Sequence, residues 1–136
     1  MAAMRSLSRT RCLELLASVP IGRVAFAVRA LPMIRPVNHL LDGDTIIIRG
    51  NLGGALATTA TQDGGVVVAY EADTFDLDRH TGWTVVVTGA ARLVLDAARQ
   101  ARYERLLSPW VDDPMNCVIG IDCDLVTGFE LAPATV

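Results

Sequence analysis

Two arginines set in apolar, β-type runs are the residues of this chain best placed to do chemistry. Arg35 lies in LPMIRPVNHLL and Arg49 in DTIIIRG, and the small-residue run NLGGALATTA follows directly. A cation in a half-buried strand needs a partner. The guanidinium is a planar fork that suits a carboxylate or a phosphate. One possible partner set is internal, because Glu71, Asp73 and Asp76 follow on a later segment. The other is a ligand. If Asp42-Gly43 forms a two-residue hairpin turn, Leu41 lies opposite Asp44, Asn38 opposite Ile47, Pro36 opposite Arg49 and Arg35 opposite Gly50. The arginines then point to different faces but share the end of the hairpin away from its turn. A short helix within 51–61 opens at that same end. Helix N-termini and glycine N–H groups favour anions, so this end reads as a phosphate pocket. Pro36 also leaves a ladder bond unmade, which gives a ligand an edge to approach.

Other candidates carry less information. His39 is a lone strand histidine, and His80 sits in a polar loop, DLDRHTGW. Trp83 and Thr84 begin a β run beside a glycine, where an indole either packs a core or walls a flat aromatic ligand. No Ser/His/Asp triad, metal-ligand spacing or paired carboxylate motif competes. Cys12, Cys117 and Cys123 form no CxxC pair and read as free thiols of a cytoplasmic protein.

These residues need a scaffold. The chain has 136 residues and 51% apolar side chains, which fits one domain over 1–136. No uncharged apolar stretch is long enough to span a membrane. The N-terminal residues lack the apolar segment of a signal peptide. The net charge of −3, with every cation an arginine, gives no basic field for nucleic acid. Ser6 or Ser8 caps a helix to about Ser18, and Asp96 caps another to about Leu107. Strands are predicted at 22–29, 32–41, 44–50, 65–72, 83–95, 116–122 and 125–131. Hairpin connections dominate, so the sheet is expected to be antiparallel and curled into a barrel.

The series LLASVPIGRVAF, IRPVNH, IIIRG, GGAL, VAYEADTFD and TGWTVVVTGAARL, in this order and at these distances, resembles the pyridoxamine 5′-phosphate oxidase-like flavin-binding proteins. The likeness runs from about Cys12 to Leu131 and is nearest to small actinobacterial members. It implies a mainly β fold, a six-stranded antiparallel Greek-key split β-barrel, usually a homodimer with flavin sites at the subunit interface. It further implies FMN contacts from Arg35, Pro36, Val37 and Asn38, from Ile48 and Arg49, and from Thr84 beside Trp83. Where such proteins commonly carry a basic or hydroxyl pair before the leucine of the small helix, this chain has Gly54 and Ala55. The carboxyl-terminal ELAPATV also lacks the tryptophan and arginines that hold pyridoxal phosphate in the oxidase proper. The expectation is therefore a flavin-dependent oxidoreductase other than the true oxidase. Two alternatives stay open: a barrel for the deazaflavin F420, whose acidic tail Arg5, Arg9 and Arg11 would meet, and a cofactor-free barrel acting as a binding dimer.

Overall fold

The computed structural model describes residues 2–51, 54–61, 64–110 and 116–133. It is mainly β. In chain order the elements are β1 (Ala2–Ser6), α1 (Arg9–Ala17), β2 (Ile21–Val28), β3 (Leu31–Asn38), β4 (Leu40–Asp42), β5 (Thr45–Gly50), α2 (Ala55–Ala60), β6 (Val66–Asp76), β7 (Thr81–Leu93), α3 (Ala97–Leu106), β8 (Cys117–Asp122) and β9 (Leu125–Pro133). The strands form one antiparallel sheet in the order β3-β2-β6-β7-β8-β5-β4, with β9 on β7 and β1 on β9. This is the split barrel expected, with nine strands among the described residues in place of six.

The extra strands have local causes. The β1 segment, AAMRS, has no strong strand pattern and forms by pairing along β9, Ala2 opposite Pro133 and Ser6 opposite Phe129. The expected single run 32–41 is cut at His39, whose N–H leaves the ladder to bond the Pro20 carbonyl at 2.9 Å. The hairpin register also differs from expectation. Leu40 lies opposite Ile47 and Asp42 opposite Thr45, so the turn residues are Gly43 and Asp44. Gly43 has φ +63°, which glycine adopts freely. β3 does not pair with β5 at all. It forms a hairpin with β2, Arg35 opposite Val24 and Pro36 opposite Arg23, through Arg29 and Ala30, both at positive φ. β5 pairs with β8 instead, Arg49 opposite Val118 and Gly50 opposite Cys117.

Both predicted caps are present. Ser8 Oγ accepts from the Arg11 N–H at 3.1 Å and Asp96 Oδ2 from the Arg99 N–H at 2.9 Å. The interior is built from the alternate residues of the strands. Val24, Tyr70, Val85, Val87, Ile46, Ile48, Ile119 and Ile121 are almost fully buried, and Leu16 of α1 plugs one end. The sheet curls at Gly89. There β7 passes from pairing with β9, up to Thr88, to pairing with β8, from Ala91. A Cβ on Gly89 would stand 1.7 Å from the Asp122 carbonyl oxygen, so only glycine permits the crossing.

Candidate functional site

Curling brings β3 and β5, which share no ladder bonds, to face each other across the split. Between them and α2 lies a cavity of about 470 Å³. Arg35, Pro36 and Val37 line it from β3, Ile48, Arg49 and Gly50 from β5, and Gly54 to Ala57 from α2. Val24, Phe26 and Ile119 form its apolar base. The volume falls in the range of small-molecule sites, roughly 300–1,000 Å³.

Both arginines border this one cavity. The expectation that they point to different faces fails because it assumed one continuous hairpin. Neither arginine meets the carboxylates considered. Arg23, not Arg35 or Arg49, meets Glu71 at 3.3 Å and Asp73 at 3.7 Å. Asp76 accepts from the Asp78 and Arg79 N–H groups in a turn. Arg35 is exposed and gives Nη1 to the Ile34 carbonyl at 3.0 Å, while Arg49 Nη1 donates to the Leu107 carbonyl at 3.3 Å. α2 has six residues, fewer than the segment 51–61 suggested, and Gly54 at its N-cap gives no side-chain bond. Gly53 lies outside the described residues.

The remaining candidates fall elsewhere. Asn38 adjoins the cavity but turns to the segment after α3. It donates to the Ser108 carbonyl at 2.8 Å and accepts from the Trp110 N–H at 3.3 Å. Trp83 packs half-buried against the core. Thr84 alternates to the outer face, where it donates to Glu71 Oε2 at 3.0 Å. There burial, then the neighbouring Asp73, pushes the Glu71 carboxyl up from its usual value. His39 is buried between α1 and the sheet. Its Nε2 meets the Leu16 carbonyl at 2.9 Å and its Nδ1 the Tyr70 hydroxyl. A carbonyl only accepts, so Nε2 carries the proton and Tyr70 donates to Nδ1. Burial holds the imidazole below its ordinary pKa and the Tyr70 hydroxyl far above its own. His39 thus seals the end of β3 and does not open on the cavity. His80 is exposed. Arg5 lies opposite Glu130, Arg9 donates to the Cys123 carbonyl at 2.7 Å and Arg11 pairs with Glu14, so none lines the cavity. Cys12, Cys117 and Cys123 are free and buried.

Sequence reasoning missed Val24, Phe26, Gly50, Asn51, Leu56, Ala57 and Ile119 as cavity residues. Val24, Phe26 and Ile119 are apolar strand residues with no chemical signal of their own, and only the curl of the sheet selects them.

A curled antiparallel sheet with two arginines and apolar side chains around a cavity between β3 and β5 is a barrel of the split type. The chain belongs to the pyridoxamine 5′-phosphate oxidase family, whose sequence model matches residues 8–128. It is 50% identical over 127 residues to an uncharacterised protein of Mycobacterium tuberculosis, covering 92% of this chain and 84% of that one. Among solved structures it resembles an FAD binding protein of Mycobacterium smegmatis, with 29% identity, a TM-score of 0.71 and coverage of 94% and 98% of the two chains. It also resembles a Corynebacterium glutamicum protein named as a candidate pyridoxamine 5′-phosphate oxidase, with 27% identity, a TM-score of 0.77 and coverage of 96% and 99%. No described helix is long and apolar enough to cross a membrane.

Proposed function

We propose that the protein binds a flavin in the cavity between β3 and β5 and serves as a flavin-dependent oxidoreductase other than the true oxidase. The observation that carries this is the convergence of Arg35 and Arg49 on one cavity with an apolar base. The group fits the residues present. The two guanidinium groups suit a phosphate, and Gly54 and Ala55 offer a wall with little side chain. Val24, Phe26, Val37, Ile48 and Ile119 exclude water from a planar ring system. Arg35 and Arg49 would bind and orient the phosphate, with the strand backbones of 35–37 and 48–49 beside the ring. A bound flavin supplies hydride or electron transfer, and the protein supplies position and electrostatics. Among the described residues no carboxylate or imidazole lines the cavity.

FMN is the first reading. FAD is the second, favoured by the Mycobacterium smegmatis relative, and it needs the same ring and first phosphate. The F420 alternative rests on Arg5, Arg9 and Arg11, none of which lines this cavity.

A homodimer belongs to the same proposal. Met4, Val67, Leu125 and Phe129 stand exposed on the outer face that also carries Thr84. A second copy covering this face would bury these side chains together with Thr84.

The test is a titration of the purified protein with FMN, FAD and riboflavin, read by flavin fluorescence, with sedimentation velocity alongside. Saturable quenching by FMN or FAD in a dimer is expected. No quenching by any flavin at high micromolar concentration would overturn the reading.

A further inference from the structure

A second cavity, of about 200 Å³, shares Pro36, Val37 and Arg49 with the first. Its other walls are Ile21, Asn38, Pro109 and Trp110. Three backbone points of the segment after α3 are tied to the strands that make the shared wall. Arg49 of β5 donates to the Leu107 carbonyl, and Asn38 of β3 takes the Ser108 carbonyl and the Trp110 N–H. Pro109 stiffens the stretch between them. An irregular segment is thereby held in place, and its indole stands 62% exposed at the mouth of a cavity.

The chemistry of the walls is specific. An indole and two proline rings offer flat apolar faces, which favour an aromatic ring. The volume is below the usual range for drug-sized ligands, about 300–1,000 Å³, so it admits a single ring. The polar groups are the guanidinium of Arg49 and the amide of Asn38. Arg49 also borders the larger cavity, where a phosphate would already claim its charge. A second anion on the same guanidinium would meet that phosphate's repulsion, whereas a carbonyl oxygen would accept an N–H bond without it.

We propose that this smaller cavity is a subsite for a neutral, single-ring aromatic carbonyl compound, stacked on Trp110 with its oxygen toward Arg49. As a substrate subsite it rests on the flavin reading, because the shared wall would set the ring beside the flavin. As a site for an aromatic ring it stands on its own walls, while the preference for a neutral compound rests on that same reading.

The experiment uses benzamide, with toluene as the ring lacking an acceptor. Trp83→Phe leaves Trp110 as the single tryptophan, and its emission is followed through each titration. The wild-type chain gives the same reading over the constant background of Trp83. Benzamide should produce a saturable shift in Trp110 emission, and toluene a much weaker one. In equilibrium dialysis, Trp110→Ala should weaken benzamide by about fivefold or more through loss of the stacking face. The same variant should titrate with FMN as the wild type does. Benzamide binding without FMN binding would sink the flavin reading and keep the subsite. FMN binding with no saturable response to benzamide would overturn the subsite. Equal affinity for toluene and benzamide would overturn the carbonyl assignment.

Discussion

The Tyr70 hydroxyl donates to Nδ1 of His39, tying β6 to the single residue between β3 and β4. Tyr70 is fully buried and His39 nearly so, and Nε2 of the imidazole serves α1 through the Leu16 carbonyl. Removing the hydroxyl strands a buried acceptor, which costs about 1–3 kcal/mol. Tyr70→Phe is expected to lower the unfolding free energy by that amount in urea, and an unchanged midpoint would show the bond to be dispensable.

The same pair makes stability depend on pH. Burial lowers the His39 pKa in the folded state, so the unfolded chain binds the proton more readily. Stability from this group is therefore full above the unfolded value of about 6.5 and is lost as pH falls toward the folded value. The limiting slope is about 1.4 kcal/mol per pH unit for one proton. Urea midpoints between pH 7.5 and 5.5 should fall for the wild type and fall less for His39→Gln. Parallel curves would assign the loss to other groups.

Arg49→Ala should weaken FMN more than Arg29→Ala, because Arg29 lies in the β2–β3 turn and does not border the cavity. A hydrogen bond to a charged group contributes roughly 1.5–3 kcal/mol, or about ten- to a hundredfold in affinity. Equal affinities in a fluorescence titration would remove Arg49 from the phosphate site.

Ala55 is exposed at the start of α2 and borders the cavity. Ala55→Lys should tighten FMN by adding a mobile point charge. Riboflavin, which lacks the phosphate, should bind as before. A lysine that changes neither would place the phosphate away from α2.

Gly128 makes a packing contact that can be tested by rescue. A Cβ there would stand 2.5 Å from Cys12 Sγ, with the Thr84 carbonyl oxygen 3.1 Å away. Gly128→Ala should destabilise by about 1–3 kcal/mol through overpacking. Adding Cys12→Ala should return part of that loss, giving a coupling energy in the double-mutant cycle. Additive losses would mean that the carbonyl oxygen, not the thiol, is the obstacle.

The long strands and the capped helices were readable because their signals are local. VVVAYEAD and TGWTVVVTGAARL carry β-branched runs, and Ser8 and Asp96 stand where caps must stand. The break at His39 was not readable, since it depends on Pro20, Leu16 and Tyr70, all distant in sequence. With that break goes the register, and with the register the faces of Arg35 and Arg49. Arg35, Pro36, Val37, Ile48, Arg49, Gly54 and Ala55 nevertheless meet at one cavity, because motif order along the chain survives an error in pairing. Asn38, Trp83 and Thr84 do not line that cavity. Asn38 turns to the segment after α3, while Trp83 and Thr84 lie on β7, an interior strand away from the split between β3 and β5.

The pairing of β1 with β9 dictates an order of events during synthesis. β1 is made before every other described strand, and its ladder partner is completed only at Pro133. The Leu7 N–H bonds the Gly128 carbonyl, and Cys12 of α1 rests against the same residue. While the ribosome works, the amino-terminal segment has no place to dock, although the β2–β3, β4–β5 and β6–β7 hairpins can already close. At roughly 5–20 residues per second in translation, that wait lasts for seconds. The earliest of the described strands is thus the last of them to be fastened, and a nascent chain stopped before β9 would leave it hanging as an open flap.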